Sequence, residues 1–319
     1  MKIKRLVIEN FKSIERIELI EPNPFTVFVG PNGSGKSNIF EALEFVVLRR
    51  DIPVETVVGL FGGKETIGRK QNKELLPKFF IDVETFNVTE RGSIVKGKML
   101  EYPDILTIGF REDSSYQQFK NFCHLFVANE KLVKLPVNDD QRLSLSAKNL
   151  EKVLKRVLAQ PILKNEISEW LELFVPEFKG VEINDRDELH WFEEHSAEYF
   201  TKDLISDGTY NILAMLTAVY QSDDKPQFLC IEEPENGLHP QVAGELIDFF
   251  RIMCEERGHH IWLNTHSQSM IARLKPEEMV VVEKKQGKTQ TTQYQGRDFH
   301  GLRMDEALLM NVLGGGLPW

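Results

Sequence analysis

The run Gly30-Pro31-Asn32-Gly33-Ser34-Gly35-Lys36-Ser37 has the residue types and spacing needed to surround a chain of phosphates. A triphosphate presents several anionic oxygens, and backbone N–H groups can converge on them only where the chain takes up unusual dihedrals. Gly30, Gly33 and Gly35 permit those dihedrals at the start of a helix, whose N-terminus favours anions. Lys36 supplies a point charge for the β and γ phosphates, and the Ser37 hydroxyl is suited to Mg2+. The expected ligands are therefore ATP and Mg2+. The nucleotide-binding set is Gly30, Pro31, Asn32, Gly33, Ser34, Gly35, Lys36, Ser37 and Asn38. The context agrees with this, since the apolar run Phe25 to Val29 precedes the loop and the helical stripe Ile39, Phe40, Leu43, Val46, Val47 follows it.

Three further groups carry chemistry. Glu232 and Glu233 close the apolar run Leu229-Cys230-Ile231, with Glu232 placed as the Mg2+ partner and Glu233 as the base that polarises an attacking water. A solvated strand terminus is the competing reading of this pair. His266 follows the next apolar run, where an imidazole could reach a γ-phosphate; a structural histidine is the alternative. Ser206-Asp207-Gly208 opens a long apolar helix and forms a second anion site that lacks a lysine.

These residues need strands and helices to hold them. Lys2 to Glu9 and Asn10 to Leu19 alternate as two strands joined by a short turn. The glycine- and lysine-rich stretch from Val58 to Pro77 reads as a mobile solvated loop, with a phosphate or nucleic-acid contact as the sharper alternative. Phe79 to Phe86, Ser93 to Met99 and Ile105 to Phe110 suggest an antiparallel meander. Residues 147 to 174 then change to helical periodicity, with Lys148, Lys152, Lys155 and Arg156 mostly on an outer face open to solvent or to a DNA backbone. The runs Phe228 to Ile231, His260 to Asn264 and Met279 to Glu283, with helices at about 240 to 256 and 267 to 274, are the pattern of buried parallel strands with crossover helices.

The 319 residues, 41% of them hydrophobic, are sufficient for a substantial core. A formal charge of −10 excludes a surface that is basic throughout, so any contact with nucleic acid must be local or arise on assembly. Cys123, Cys230 and Cys254 have no metal-ligand spacing and are expected to be buried thiols in a reducing compartment. No apolar run reaches membrane-spanning length, and the expected location is the cytoplasm.

The motifs Ile8-Glu9-Asn10-Phe11-Lys12-Ser13, Gly30 to Ser37, Ser206-Asp207-Gly208, Ile231-Glu232-Glu233-Pro234-Glu235-Asn236-Gly237-Leu238-His239-Pro240 and Asn264-Thr265-His266-Ser267 occur in this order over nearly the whole chain. Together they resemble ABC-type ATPases of the RecF and SMC group, in particular stand-alone bacterial AAA-family ATPases related to the OLD proteins. The resemblance implies an α/β fold, an ABC-ATPase head. Lobe I would carry the antiparallel β meander, a helical insertion would follow, and lobe II would be a mostly parallel sheet with flanking helices. The corresponding spans are 1–135, 136–200 and 201–319. It also implies a head-to-tail homodimer formed through ATP, in which Ser206 and Gly208 of one copy complete the phosphate site of the other. Glu235 to His239 would be the loop crossing that interface. Asp207 departs from the glycine usual in transporter signatures, and Glu232 stands where aspartate is commoner. Gln117 and Gln118 are the candidates for the Q-loop glutamine.

The reading that follows is a Mg2+-dependent ATPase in which Lys36, Glu233 and His266 are catalytic and Ser37 and Glu232 serve the metal. It acts as a nucleotide-gated dimerisation switch in DNA metabolism, DNA repair or anti-phage defence. The chain shows no long coiled coil, and 53 residues after His266 leave no room for a TOPRIM nuclease. The expected output therefore lies with DNA or with a separately encoded effector such as a nuclease. An ATP-binding scaffold or DNA-binding module with negligible turnover is the alternative, ahead of a transporter subunit.

Overall fold

A computed structural model describes residues 2–69, 77–84, 121–127, 139–223, 225–299 and 301–313. Its centre is a six-stranded sheet in the order β11-β10-β3-β9-β8-β5. The strands are β3 (Phe25–Val29), β5 (Phe122–Leu125), β8 (Phe228–Glu232), β9 (His260–Thr265), β10 (Met279–Lys285) and β11 (Lys288–Gln293). All neighbours are parallel except β10 and β11, which form an antiparallel hairpin. The fold is thus mixed α/β with a mostly parallel sheet, as expected.

Both faces of this sheet are covered, which explains why β3, β5, β8 and β9 are buried at every position. Successive side chains alternate between two cores. Val27, Leu229, Leu263 and Val281 enter one core with the helices Leu150–Leu158, Pro161–Phe174, Asp207–Tyr220 and Pro240–Arg257. Phe28, Cys230, Trp262 and Val282 enter the other, with the helix Lys36–Asp51 and a second sheet. That second sheet is antiparallel in the order β2-β1-β4, from β1 (Lys2–Phe11), β2 (Ile14–Ile20) and β4 (Lys78–Glu84). The helix Lys36–Asp51 therefore lies between two sheets. Burial of Ile39, Phe40, Ala42, Leu43, Phe45, Val46 and Val47 leaves it without a wide polar face.

The first two strands are longer and shorter, respectively, than the alternation suggests, because the turn falls at Lys12-Ser13 rather than before Asn10. Of the expected meander, β4 is described and pairs with β1. Ser93 to Met99 and Ile105 to Phe110 lie outside the described residues.

The stretch after Val58 differs from its reading as a loop. Val54–Leu60 and Lys64–Ile67 are helical, and Val57, Val58, Phe61 and Ile67 are buried in the second core. Phe61 packs edge-on to Phe45 at 5.3 Å between ring centroids. Glycine content suggested a loop, but Gly62 and Gly63 only break the helix, at φ of 90° and 88°, while the apolar side chains around them fix its position. Arg69 is buried and paired with Glu15, so it is not a free cation for nucleic acid.

Two helices occupy 150–174 as expected, and the antiparallel hairpin β6 (Phe178–Ile183) and β7 (Leu189–Glu193) follows them unforeseen. The basic residues of the first helix are engaged within the chain. Lys155 pairs with Asp187 at 2.9 Å, and Arg156 pairs with Asp223 at 2.8 Å and donates to the Asp140 carbonyl at 2.7 Å. Cys123, Cys230 and Cys254 are free and buried, as expected. Among the described residues no helix is long and apolar enough to cross a membrane.

Candidate nucleotide site

The phosphate-binding loop leaves β3 at Val29 and enters the helix at Lys36, with Gly33 and Gly35 at φ of 76° and 105°. Gly30 is required for a second reason: a Cβ there would stand 2.1 Å from the Val282 carbonyl oxygen of the neighbouring strand. The Lys36 ammonium curls back over the loop and donates to the carbonyls of Gly30 at 2.7 Å and Pro31 at 3.1 Å. Burial lowers its pKa, opposed by the charges of Glu233, Glu235 and Glu232.

The loop is braced from outside the motif. Asn38 donates its amide to Ser13 at 2.6 Å, Ser13 shares a hydrogen bond with Thr289 at 2.7 Å, and Thr289 donates to the Ser34 carbonyl at 2.8 Å. Asn38 thus secures the turn after β1 to the loop. Asn32 and Gly33 are exposed at its crest.

Three strand ends supply the facing wall. Glu232 ends β8, Asn264 is its register partner on β9, and His124 on β5 pairs in register with Cys230. Alternation places Glu232 on the same face as Cys230, the face toward the helix Lys36–Asp51. Glu232 accepts a short hydrogen bond from Ser37, one of 3.0 Å from the Asn264 amide, and one of 2.8 Å from His124 Nε2. Burial would raise the Glu232 pKa, but the His124, Ser37 and Asn264 contacts outweigh it and hold it below the ordinary carboxylate range. Burial pulls His124 the other way from its partners; the charge of Glu44 and the bonds to Glu232 and Glu44 prevail and raise it to about 9.

Glu233 turns out of the strand at φ 46°, a left-handed conformation that costs a non-glycine residue about 1–2 kcal/mol. Its N–H donates to Asn264 twice, to the side-chain Oδ1 at 2.9 Å and to the backbone carbonyl at 3.0 Å. Its carboxylate accepts from Asn236 at 3.1 Å and lies 4.0 Å from His266 Nδ1. Glu235 holds the far side: it accepts from Thr265 Oγ1 at 2.6 Å and from the His266 N–H at 3.2 Å. Lys36, Ser37, Glu232, Glu233 and His266 are thereby brought to one place.

Ser206 and Gly208 reach this site indirectly. Ser206 caps its helix, accepting from the Thr209 N–H at 3.0 Å, and is exposed together with Asp207. Gly208 abuts the loop that follows Glu233, where an added Cβ would meet the Gly237 carbonyl oxygen at 2.3 Å. Asn211, one turn on, donates to the Asn236 carbonyl at 2.8 Å. Gln117 and Gln118 lie outside the described residues.

The donor set fits a magnesium nucleoside triphosphate. The Ser34 hydroxyl is buried in the loop with no hydrogen-bond partner among the described residues, and the Lys36 ammonium donates to the loop carbonyls of Gly30 and Pro31. Ser37 and Glu232 are hard oxygen ligands of the kind Mg2+ takes, usually alongside phosphate oxygens.

A family model described as "AAA domain, putative AbiEii toxin, Type IV TA system" matches residues 99–272, more than half of the chain. The chain belongs to this AAA domain family. A second model, "AAA ATPase domain", matches residues 1–122 of the same AAA-domain protein. Among curated relatives, the chromosome partition protein Smc of Methanocaldococcus jannaschii is 49% identical over 45 residues, 14% of this chain and 4% of that protein. Human structural maintenance of chromosomes protein 1B is 32% identical over 103 residues, 31% of this chain and 8% of that protein. The alignments thus take in a small share of each relative's length. Among solved structures, the Smc head bound to the C-winged helix domain of ScpA matches 97% of this chain and 100% of its own, at 14% identity and a TM-score of 0.55. A Pyrococcus furiosus Smc head with an extended coiled coil, bound to the C-terminal domain of ScpA, matches 98% and 99% at 12% identity and a TM-score of 0.54. The AAA-domain chain has the fold of an SMC head.

His124 and Glu44 were not legible as site residues. The one signal was a histidine inside the apolar run Phe122 to Val127, and only the order of strands gives it meaning.

Proposed function

We propose that this chain is a Mg2+-dependent ATP hydrolase that works as a nucleotide-gated dimerisation switch in the cytoplasm. Its output would be in DNA metabolism or anti-phage defence, through a separately encoded effector. The observation that carries the reading is the hydrogen-bonded wall Ser37–Glu232–Asn264–Glu233, set against the Lys36 ammonium.

In this account Lys36 leaves the loop carbonyls for the β and γ phosphates, and the loop N–H groups complete their cradle. Mg2+ at Ser37 and Glu232 would neutralise charge on the phosphate oxygens. Glu233, held by Asn236 and Asn264, orients and polarises water for attack, giving ADP and phosphate. His266 stands beside Glu233, where it can donate toward the departing γ-phosphate.

Ser206 and Gly208 would serve the nucleotide of a second copy, across the loop from Glu235 to His239. A γ-phosphate shared between Lys36 of one copy and the helix N-terminus of the other rewards association only while the triphosphate is intact. The division into 1–135, 136–200 and 201–319 belongs to the same proposal, as one composite ATPase unit. The neighbouring Smc heads are bound to ScpA, and the family description names a toxin–antitoxin system; both support a separate protein partner.

Size-exclusion chromatography with ATP turnover, on the wild type and Glu233→Gln, tests the switch. A dimer trapped by ATP in the variant, with turnover lost, is expected. An oligomeric state indifferent to ATP in both proteins would refute it.

A further inference from the structure

His124 does more than fill the core. It lies on β5, is 6% exposed, and packs edge-on to Phe40 at 6.0 Å between ring centroids. Its Nε2 is 2.8 Å from Glu232 Oε1, and its Nδ1 is 2.9 Å from Glu44 Oε2. Glu44 belongs to the helix that begins at Lys36, seven residues after Ser37, which places the two on one helical face. Each ring nitrogen thus faces a carboxylate oxygen. The imidazole therefore joins the phosphate-loop helix to the end of β8.

The two oxygens of Glu232 have separate duties as a result. Oε1 is taken by His124, and Oε2 faces the Ser37 hydroxyl and the Asn264 amide. We propose that His124 is a positioning residue for the divalent cation: braced by Glu44, it fixes Glu232 so that Oε2 alone is presented beside Ser37. This rests on the Mg2+ reading of that pair. A loose Glu232 could turn either oxygen inward or draw the helix toward itself, and outer partners of metal ligands are known to govern affinity through such orientation.

The test is nucleotide affinity, measured by calorimetry in EDTA and across a Mg2+ titration, for the wild type, His124→Phe, His124→Gln and Glu44→Gln. His124→Phe should raise the Mg2+ concentration for half-maximal coupling by about tenfold or more, while affinity in EDTA stays close to wild type. His124→Gln, which keeps a donor for Glu232, should recover most of the loss, and Glu44→Gln should fall between. Should His124→Phe fail to fold, as judged by circular dichroism, Glu44→Gln carries the comparison. Equal loss of affinity with and without Mg2+, or an unmoved Mg2+ midpoint in every folded variant, would each overturn the proposal. Absence of any Mg2+ effect in the wild type would instead remove the Mg2+ reading itself, so the two failures are distinct.

Discussion

Asn264 accepts the Glu233 N–H on both its side-chain Oδ1, at 2.9 Å, and its backbone carbonyl, at 3.0 Å, while its amide donates to Glu232 at 3.0 Å. One residue thus sets the positions of the two carboxylates to which different tasks are assigned. Asn264→Ala should release the left-handed turn at Glu233 and cost about 10²-fold in turnover, the scale of an ångström-sized misplacement. Nucleotide affinity should fall far less, because the phosphate loop is braced separately by Ser13, Asn38 and Thr289. Steady-state turnover beside calorimetric binding checks this; turnover near wild type would show that Asn264 does not set Glu233.

Gly208 and Gly237 are in contact across two segments that serve different sites in the proposed dimer. Gly208→Ala would drive a methyl into the Gly237 carbonyl, 2.3 Å from its oxygen, and backbone cannot yield as a flexible side chain does. Destabilisation of about 1–3 kcal/mol is expected from this overpacking, and turnover should fall as the loop carrying Glu235 and Asn236 shifts. Thermal unfolding and turnover of the purified variant measure both effects. An unchanged melting temperature would mean that the loop moves aside freely.

Much of this was legible in sequence, and the reason is local. The phosphate loop, β8, β9 and β10 declare themselves because each motif is contiguous and each strand carries an unbroken apolar run. The wall opposite the loop was harder to read, because His124 and Glu232 are 108 residues apart and Asn264 is 32 beyond Glu232. Only the order β9-β8-β5 brings them side by side. Composition misled at 58–69, where glycines outweighed Val58, Phe61 and Ile67, and the hairpin β6–β7 was too short and polar to stand out.

Acid should weaken the fold through a neighbouring pair on β9 and the turn before it. Burial lowers His259 to about 4, helped by the positive charge of Arg257. Burial also lowers His260, to about 3, and its ring stacks on Phe228 at 5.7 Å. None of the four ring nitrogens has a hydrogen-bond partner among the described residues. Both histidines are neutral in the native state, whereas the unfolded chain protonates them near the ordinary value of 6.5. Their contribution is therefore fully present above about pH 6.5 and is lost as pH falls toward 4 and 3, by up to about 1.4 kcal/mol per pH unit for each. Denaturant unfolding from pH 7.5 to 5 should show this slope, and His260→Phe should flatten it. An equal slope in wild type and variant would contradict the assignment.

In the proposed dimer, each nucleotide site is built from two copies of the chain. Lys36→Ala removes the phosphate lysine and leaves Ser206 and Gly208 intact, whereas Ser206→Arg blocks the second anion site and leaves the phosphate loop intact. Each variant alone should be inactive. Mixed in equal amounts, half of the dimers contain both, and each mixed dimer has one complete site, so turnover should return to about a quarter of wild type. No recovery on mixing, with both variants folded and shown to exchange subunits, would contradict the composite site.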